Sequence, residues 1–201
     1  KGGYWQMALW LLSMLLEARL RPTVISFNAS ISACEKGGEW QLALKLLADM
    51  PEAALAPDVV SFSAGISASQ KGSCWLRAVQ LLTQMPRHSV SPNVISFNAG
   101  IGACSSAGRW QAALGLLFSM PRSALVPNVI SFNGGIVACE KAAQWRWALV
   151  LLSELPAAKL AANMISLNAA ISACEQCGVA HSSSGALQPD LGHLQAKRKE
   201  K

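Results

Sequence analysis

Val24-Ile25-Ser26-Phe27-Asn28 opens a segment that runs through Cys34-Glu35-Lys36-Gly37-Gly38 and closes on Ala56-Pro57-Asp58, whereupon the same pattern begins again at Val59. Pro22, Pro57, Pro92 and Pro127 stand 35 residues apart, as do Trp5, Trp40, Trp75, Trp110 and Trp145. Ser26, Ser61, Ser96, Ser131 and Ser166 keep the same step, and Met50, Met85 and Met120 follow it too. Agreement among independent combs excludes accident, and a fixed period of this size marks stacked units rather than one central core. Complete units occupy residues 24–58, 59–93, 94–128 and 129–163. Residues 1–23 match the later part of a unit and residues 164–177 the first part of a fifth, so the array over residues 1–177 is expected to be a portion of something longer.

Within the first complete unit, Phe27, Ile31 and Cys34 fall at steps of four and three, one stripe of a helix running from Val24 to Lys36. Gly37 and Gly38 break it, the usual chemistry of a helix C-terminus. Trp40, Ala43, Leu44, Leu47 and Met50 mark a second stripe, which Pro51 ends or bends before Leu55-Ala56-Pro57-Asp58 turns the chain. Two helices of about a dozen residues are marginal alone, so each hairpin must dock on the next. The expected fold is all-α, a right-handed α-solenoid of antiparallel helix hairpins. The Trp comb lies inside the second apolar stripe, which assigns it to the seam between helices rather than to base stacking.

The hydrophobic share of 52% and charged share of 14% suit Ala, Leu, Ile and Trp filling such seams. Residues 178–201, with Ser182-Ser183-Ser184-Gly185 and a basic end, are expected to form a disordered tail. Formal net charge is +6 and the pI about 9.2, but Leu194 to Lys201 alone holds four basic and one acidic side chain. The array itself is thus only mildly basic, which is compatible with a nucleic-acid partner without choosing one.

Trp5 to Leu16 behind Lys1 looks like the apolar region of a signal peptide. The repeat overrules that reading, since Trp5 aligns with Trp40 and Leu12 with Leu47. No run reaches the roughly 18 apolar residues of a spanning helix, and no membrane partner is expected. Cys34, Cys104, Cys139 and Cys174 share one repeat position, where the second unit has Ser69. Their spacing is architectural, and small packed thiols are the natural reading. Cys174-Glu175-Gln176-Cys177 is a lone CxxC with His181 and His193 nearby, too weak a signal to assign a metal. No cofactor is expected.

Val24-Ile25-Ser26-Phe27-Asn28, the helix ending Cys34-Glu35-Lys36-Gly37-Gly38 and the closing Ala56-Pro57-Asp58 resemble the pentatricopeptide repeat family, over about 175 residues. The 35-residue period separates the chain from the tetratricopeptide relative, whose period is 34. It departs from the family pattern in three ways. Proline follows the second helix (Pro51, Pro86, Pro121, Pro156), the glycine usual before the closing turn is missing, and Ala162 replaces the last proline. These departures bear on the angle between repeats.

The resemblance implies that each repeat reads one RNA base with its fifth and last residues while the second residue wedges against the base. Carried over by position, the readers pair as Asn28 with Asp58, Ser63 with Asn93, Asn98 with Asn128, and Asn133 with Asn163; Asn168 begins a fifth. The wedges are Ile25, Val60, Ile95, Ile130 and Ile165. An ionised Asp only accepts hydrogen bonds and suits uracil N3–H, while Asn both donates and accepts. Asn as fifth residue leaves room for a pyrimidine and the shorter Ser for a purine, so the implied target is 5′-U-A-(C or U)-(C or U)-3′, with the N-terminal repeat at the 5′ end.

Alternatives stay open at this level. Asp58, Asn93, Asn128 and Asn163 stand directly before a helix, where Asp and Asn are favoured as N-caps whatever the function. Asn28, Asn98, Asn133 and Asn168 are poor interior helix residues repeated on a polar face, which a ligand surface explains better. Lys1, Lys36, Lys71 and Lys141 share the thirteenth position, where they meet RNA phosphates, offset the negative end of the first helix, or do both. No H-x-E accompanies the CxxC and no paired carboxylates suggest metal-dependent cleavage, so the chain reads as non-catalytic. Family resemblance implies a chloroplast or mitochondrial setting with RNA-processing proteins as further partners. The rival is a solenoid scaffold that grips a peptide.

Overall fold

The computed structural model describes residues 4–18 and 20–177; Lys1 and the expected tail at 178–201, with His181 and His193, lie outside them. Among the described residues there are ten α-helices: α1 (Tyr4–Glu17), α2 (Val24–Gly37), α3 (Trp40–Asp49), α4 (Val59–Lys71), α5 (Trp75–Gln84), α6 (Val94–Ser106), α7 (Trp110–Ser119), α8 (Val129–Lys141), α9 (Trp145–Ala157) and α10 (Met164–Gln176). Each even-numbered helix from α2 to α8 pairs with the helix after it and also packs on the next even-numbered one, α2 on α4, α4 on α6, α6 on α8 and α8 on α10. The molecule is a helical-repeat solenoid. None of the described helices is long and apolar enough to cross a membrane.

The core is a ladder of equivalent rungs. Phe27, Phe62, Phe97 and Phe132 are buried, as are Ile31, Ile66, Ile101 and Ile136 beneath them. Ala43, Ala78, Ala113 and Ala148 let the paired helices approach, and Met50, Met85, Met120 and Leu155 close each unit, fully buried. Cys34, Cys104 and Cys139 are buried free thiols. Burial pushes the Cys104 and Cys139 thiols up to about 11, so both stay neutral packing groups. At the same position Ser69 donates from Oγ to the Gly65 carbonyl at 2.9 Å, which lets a hydroxyl occupy a site otherwise given to sulfur.

The Trp comb belongs to the seam. A Cβ at Gly37 would lie 2.5 Å from Trp5 Cδ1, and one at Gly72 would lie 2.5 Å from Trp40 Cδ2, so each ring rests on the end of the next unit's first helix. Arg109 covers the outer face of Trp75, its guanidinium carbon 5.4 Å from the ring centroid.

Both helices of each unit end in a left-handed residue. After the first helix these are Gly38, Ser73, Gly108 and Ala143; after the second, Ala54, Ser89, Ala124 and Lys159. The chain then reverses through six-residue closures such as Leu55 N–H to Met50 O at 2.9 Å and Glu39 N–H to Cys34 O at 2.9 Å, the Schellman arrangement. The prolines differ among units. Pro51 begins a turn and Pro86 and Pro121 sit in short 3₁₀ turns, whereas Pro156 stays inside the last turn of α9. All four lie just ahead of the left-handed residue, a place where the chain is leaving the helix and a missing N–H is tolerated.

Candidate nucleic-acid interface

Each even-numbered helix starts with a reciprocal cap. Thr23, Asp58, Asn93, Asn128 and Asn163 accept the backbone N–H of Ser26, Ser61, Ser96, Ser131 and Ser166 on a side-chain oxygen, and each serine hydroxyl accepts the cap residue's own N–H. The N-cap role weighed against base reading therefore exists in every unit. It fixes which atom of the cap faces where. In Asn128, for instance, the oxygen that accepts the Ser131 N–H must be Oδ1, since the backbone nitrogen can only donate.

That oxygen also receives the fifth residue of its own unit. Asn28 Nδ2 donates to Asp58 Oδ1 at 3.0 Å, Asn98 Nδ2 to Asn128 Oδ1 at 3.3 Å and Asn133 Nδ2 to Asn163 Oδ1 at 3.2 Å. Residues 30 apart in sequence thus meet at the junction of two units, in three of the four expected pairs. Ser63 is too short to reach Asn93, and no hydrogen bond joins them. Asn168 is exposed, and its closing partner falls beyond the described residues.

With Oδ1 committed inward, the cap's other atom has no side-chain partner among the described residues. At Asp58 it is an oxygen that only accepts; at Asn93, Asn128 and Asn163 it is an NH₂ that donates. Partial burial works to raise the Asp58 carboxyl, but bonds from the Ser61 N–H, the Ser61 hydroxyl, the Asn28 amide and the Val60 N–H outweigh it and hold the group below its ordinary value. Asp58 is therefore ionised at neutral pH.

Two buried side-chain polar atoms lack a hydrogen-bond partner among the described residues: Ser63 Oγ and Asn133 Oδ1. Both occupy the fifth position of a unit. Three residues earlier on the same face stand the expected wedges, whose exposure runs from 58% at Val60 and Ile165 through 64% at Ile130 and 66% at Ile95 to 80% at Ile25. Large aliphatic side chains this exposed, repeated at every unit beside polar groups, form a ridged surface and not a core. Among the thirteenth-position lysines, Lys71 Nζ lies 2.7 Å from Glu35 Oε1 and donates to the Glu35 carbonyl at 2.9 Å, so it neutralises the end of the preceding unit's first helix. Lys36 and Lys141 are exposed, Lys36 beside a cleft of about 500 Å³ between Tyr4, Trp5 and the Ala29, Ser32 and Ala33 face of α2.

Sequence reasoning noted the serine comb but gave it no partner. Ser61 and Ser131 touch the fifth-position amides themselves, their hydroxyls donating to Asn28 Oδ1 and, at 2.6 Å, to Asn98 Oδ1. An Asp or Asn followed three residues later by Ser was the available signal for the cap, though nothing local marks the bond to the preceding unit.

Two family models match the chain, one described as PPR repeat family over residues 22–71 and one as pentatricopeptide repeat domain over residues 80–142, together more than half its length. No curated protein sequence matches it. Among solved structures, the PPR domain of Arabidopsis thaliana protein-only RNase P 1 in complex with tRNA superposes with a TM-score of 0.74 at 13% identity, over 86% of this chain and 91% of that one. The pentatricopeptide repeat protein PPR10 in complex with an 18-nt psaJ RNA element superposes at 0.70 and 22% identity, over 87% of this chain and 26% of that one. PPR10 from maize superposes at 0.66 and 22% identity, over 88% and 25%. The chain spans about a quarter of the PPR10 chain. At these identities the likeness is one of fold.

Proposed function

Because the chain belongs to the pentatricopeptide repeat family, we propose that it binds single-stranded RNA with one base at each repeat junction. The observation that carries this reading is the pair of unsatisfied buried atoms, Ser63 Oγ and Asn133 Oδ1, both at the fifth position of a repeat. Leaving a buried polar group unpaired costs about 1–3 kcal/mol, so two such groups at equivalent positions support a partner that brings hydrogen-bonding groups to the fifth residues. Flat bases fit the exposed aliphatic ridges from Ile25 to Ile165, which would flank each one. A peptide offers no flat aromatic ring at every step.

The chemistry of the outward cap atoms supports a sequence preference. An acceptor-only oxygen at Asp58 favours uracil, whose N3–H donates; the amide NH₂ of Asn93, Asn128 and Asn163 favours a base presenting an acceptor there. With Ser63 leaving space for a purine and Asn98 and Asn133 for pyrimidines, the target is 5′-U-A-(C or U)-(C or U)-3′. Lys36 and Lys141 would meet phosphates, while Lys71 serves the helix end first. The function is non-catalytic: shielding a transcript, melting a hairpin or positioning RNA for processing proteins, in a chloroplast or mitochondrion.

Four stacked bases at roughly 1–3 kcal/mol each give about 4–12 kcal/mol gross, against roughly 4–15 kcal/mol lost on association. Weak binding by these repeats alone is expected, strengthened in a longer array. Titration of the chain with short RNAs differing only at the first two bases tests the proposal. Preference for 5′-U-A supports it, and equal affinity for all bases sinks it in favour of a scaffold that binds peptide.

A further inference from the structure

Of the five cap serines, Ser26 donates to the Thr23 carbonyl, and the other four have turned two different ways. Ser61 and Ser131 point their hydroxyls at the reading amides Asn28 and Asn98, each also within reach of the cap oxygen, at 2.9 Å from Asp58 Oδ1 and 3.1 Å from Asn128 Oδ1. Ser96 and Ser166 instead donate at 2.8 Å to the backbone carbonyl of their own cap residue, Asn93 and Asn163, and Ser166 also lies 3.3 Å from Asn163 Oδ1; neither bonds the fifth-position residue of the repeat before it. The consequence shows in the preceding unit. Asn28 and Asn98 are held at both ends of the amide, Nδ2 by the cap and Oδ1 by the serine, whereas Asn133 keeps only its Nδ2 bond and its Oδ1 is unpartnered.

We infer that Ser61 and Ser131 are positioning residues that fix the amide of the reader in the preceding repeat, so that the first and third repeats discriminate pyrimidine from purine more sharply than the fourth. The inference rests on the RNA-reading function proposed above. An amide bonded at both ends has one free Nδ2 proton and one free lone pair, in fixed directions; a base that cannot match them leaves a group unpaired. An amide held only through Nδ2 can swing about that bond and accept either shape. Serine at the third position of one repeat therefore acts on the base bound by the repeat before it.

The serine also completes a helix cap, so the test compares four variants that lose the same cap bond: Ser61→Ala, Ser96→Ala, Ser131→Ala and Ser166→Ala. Each is titrated with short single-stranded RNAs carrying pyrimidine or purine at one position in turn. Ser61→Ala should reduce the pyrimidine-over-purine ratio at the first base, and Ser131→Ala at the third, by about fivefold, the factor one net hydrogen bond represents. Ser96→Ala and Ser166→Ala should leave the ratios at the second and fourth bases unchanged. Ser61→Thr, which keeps the hydroxyl, should retain discrimination at the first base. A uniform loss across all four bases, or none, overturns the assignment while leaving the RNA-reading function intact. A second measurement needs no RNA: the side-chain amide resonances of Asn98 in the free protein should shift and exchange faster in Ser131→Ala, with those of Asn133 unmoved in Ser166→Ala. Unmoved Asn98 resonances overturn the inference whatever the RNA data show, and failure of the unsubstituted chain to bind RNA overturns the reading beneath it.

Discussion

Ala54, Ser89, Ala124 and Lys159 occupy one repeat position with φ of 56°, 58°, 56° and 58°, all exposed. An L-residue in this left-handed conformation costs roughly 1–2 kcal/mol relative to its preferred regions, which glycine does not pay. Replacing each by glycine adds unfolded-state freedom worth about 0.4–1 kcal/mol in the opposite direction. The net gain is about 0.5–1 kcal/mol per site. The sites lie in separate units and share no contact, so the gains should add, to about 2–4 kcal/mol for Ala54→Gly, Ser89→Gly, Ala124→Gly and Lys159→Gly together. For an array of this size that corresponds to a rise in Tm of about 5–15 °C. Ala56→Gly is the control, exposed and two residues away without a positive φ; it should be neutral or slightly destabilising. Thermal melting followed by circular dichroism measures all five. If the fourfold variant melts no higher than the unsubstituted chain, the left-handed closures are not strained elements.

Three further outcomes follow from the packing and the caps. The Asp58 carboxylate is held below its ordinary pKa, so its contribution to stability is complete above the unfolded-state value and lost as pH falls through the lower folded value; urea titrations across the acid range should show that limb flattened in Asp58→Asn. Cys104 and Cys139 are buried and raised to about 11, whereas Cys177 is exposed, so a thiol reagent at pH 8 should modify Cys177 at once and the other two only on unfolding. Trp40→Ala removes the ring seated on Gly72 and should destabilise by about 2–4 kcal/mol in urea titrations, somewhat under the usual large-aromatic cost because the ring is only partly buried, with the order of base preference preserved.

The hairpins were legible because every unit copies the next: Phe27, Ile31 and Cys34 on one stripe and Trp40, Ala43 and Leu47 on another recur, so the apolar period could be read several times over. The cap positions of Asp58 and Asn93 were legible too, from Asp or Asn directly before a helix. The left-handed closures were not, because Ala54, Ser89, Ala124 and Lys159 carry none of the glycine that signals such a turn; the absence of glycine suggested an altered repeat angle instead. Nor did the chain reveal that the cap and the fifth-position amide share one oxygen. Asn28 and Asp58 are 30 residues apart, and only the stacking of α2 on α4 brings Nδ2 onto Oδ1. The thirteenth-position lysine of a single repeat suits a phosphate or a helix end equally, and the bond from Lys71 to the Glu35 carbonyl crosses between units, a contact no single repeat encodes.

Asp58→Asn combined with Asn93→Asp exchanges only the outward atoms of two junctions, since Asn and Asp cap a helix almost equally well and Oδ1 keeps its inward bonds. Binding of short RNAs varied at the first two bases should then move from 5′-U-A toward a cytosine at the first base and a guanine at the second, with thermal stability little changed. An unaltered preference for 5′-U-A in this folded double variant would contradict the claim that these residues read bases.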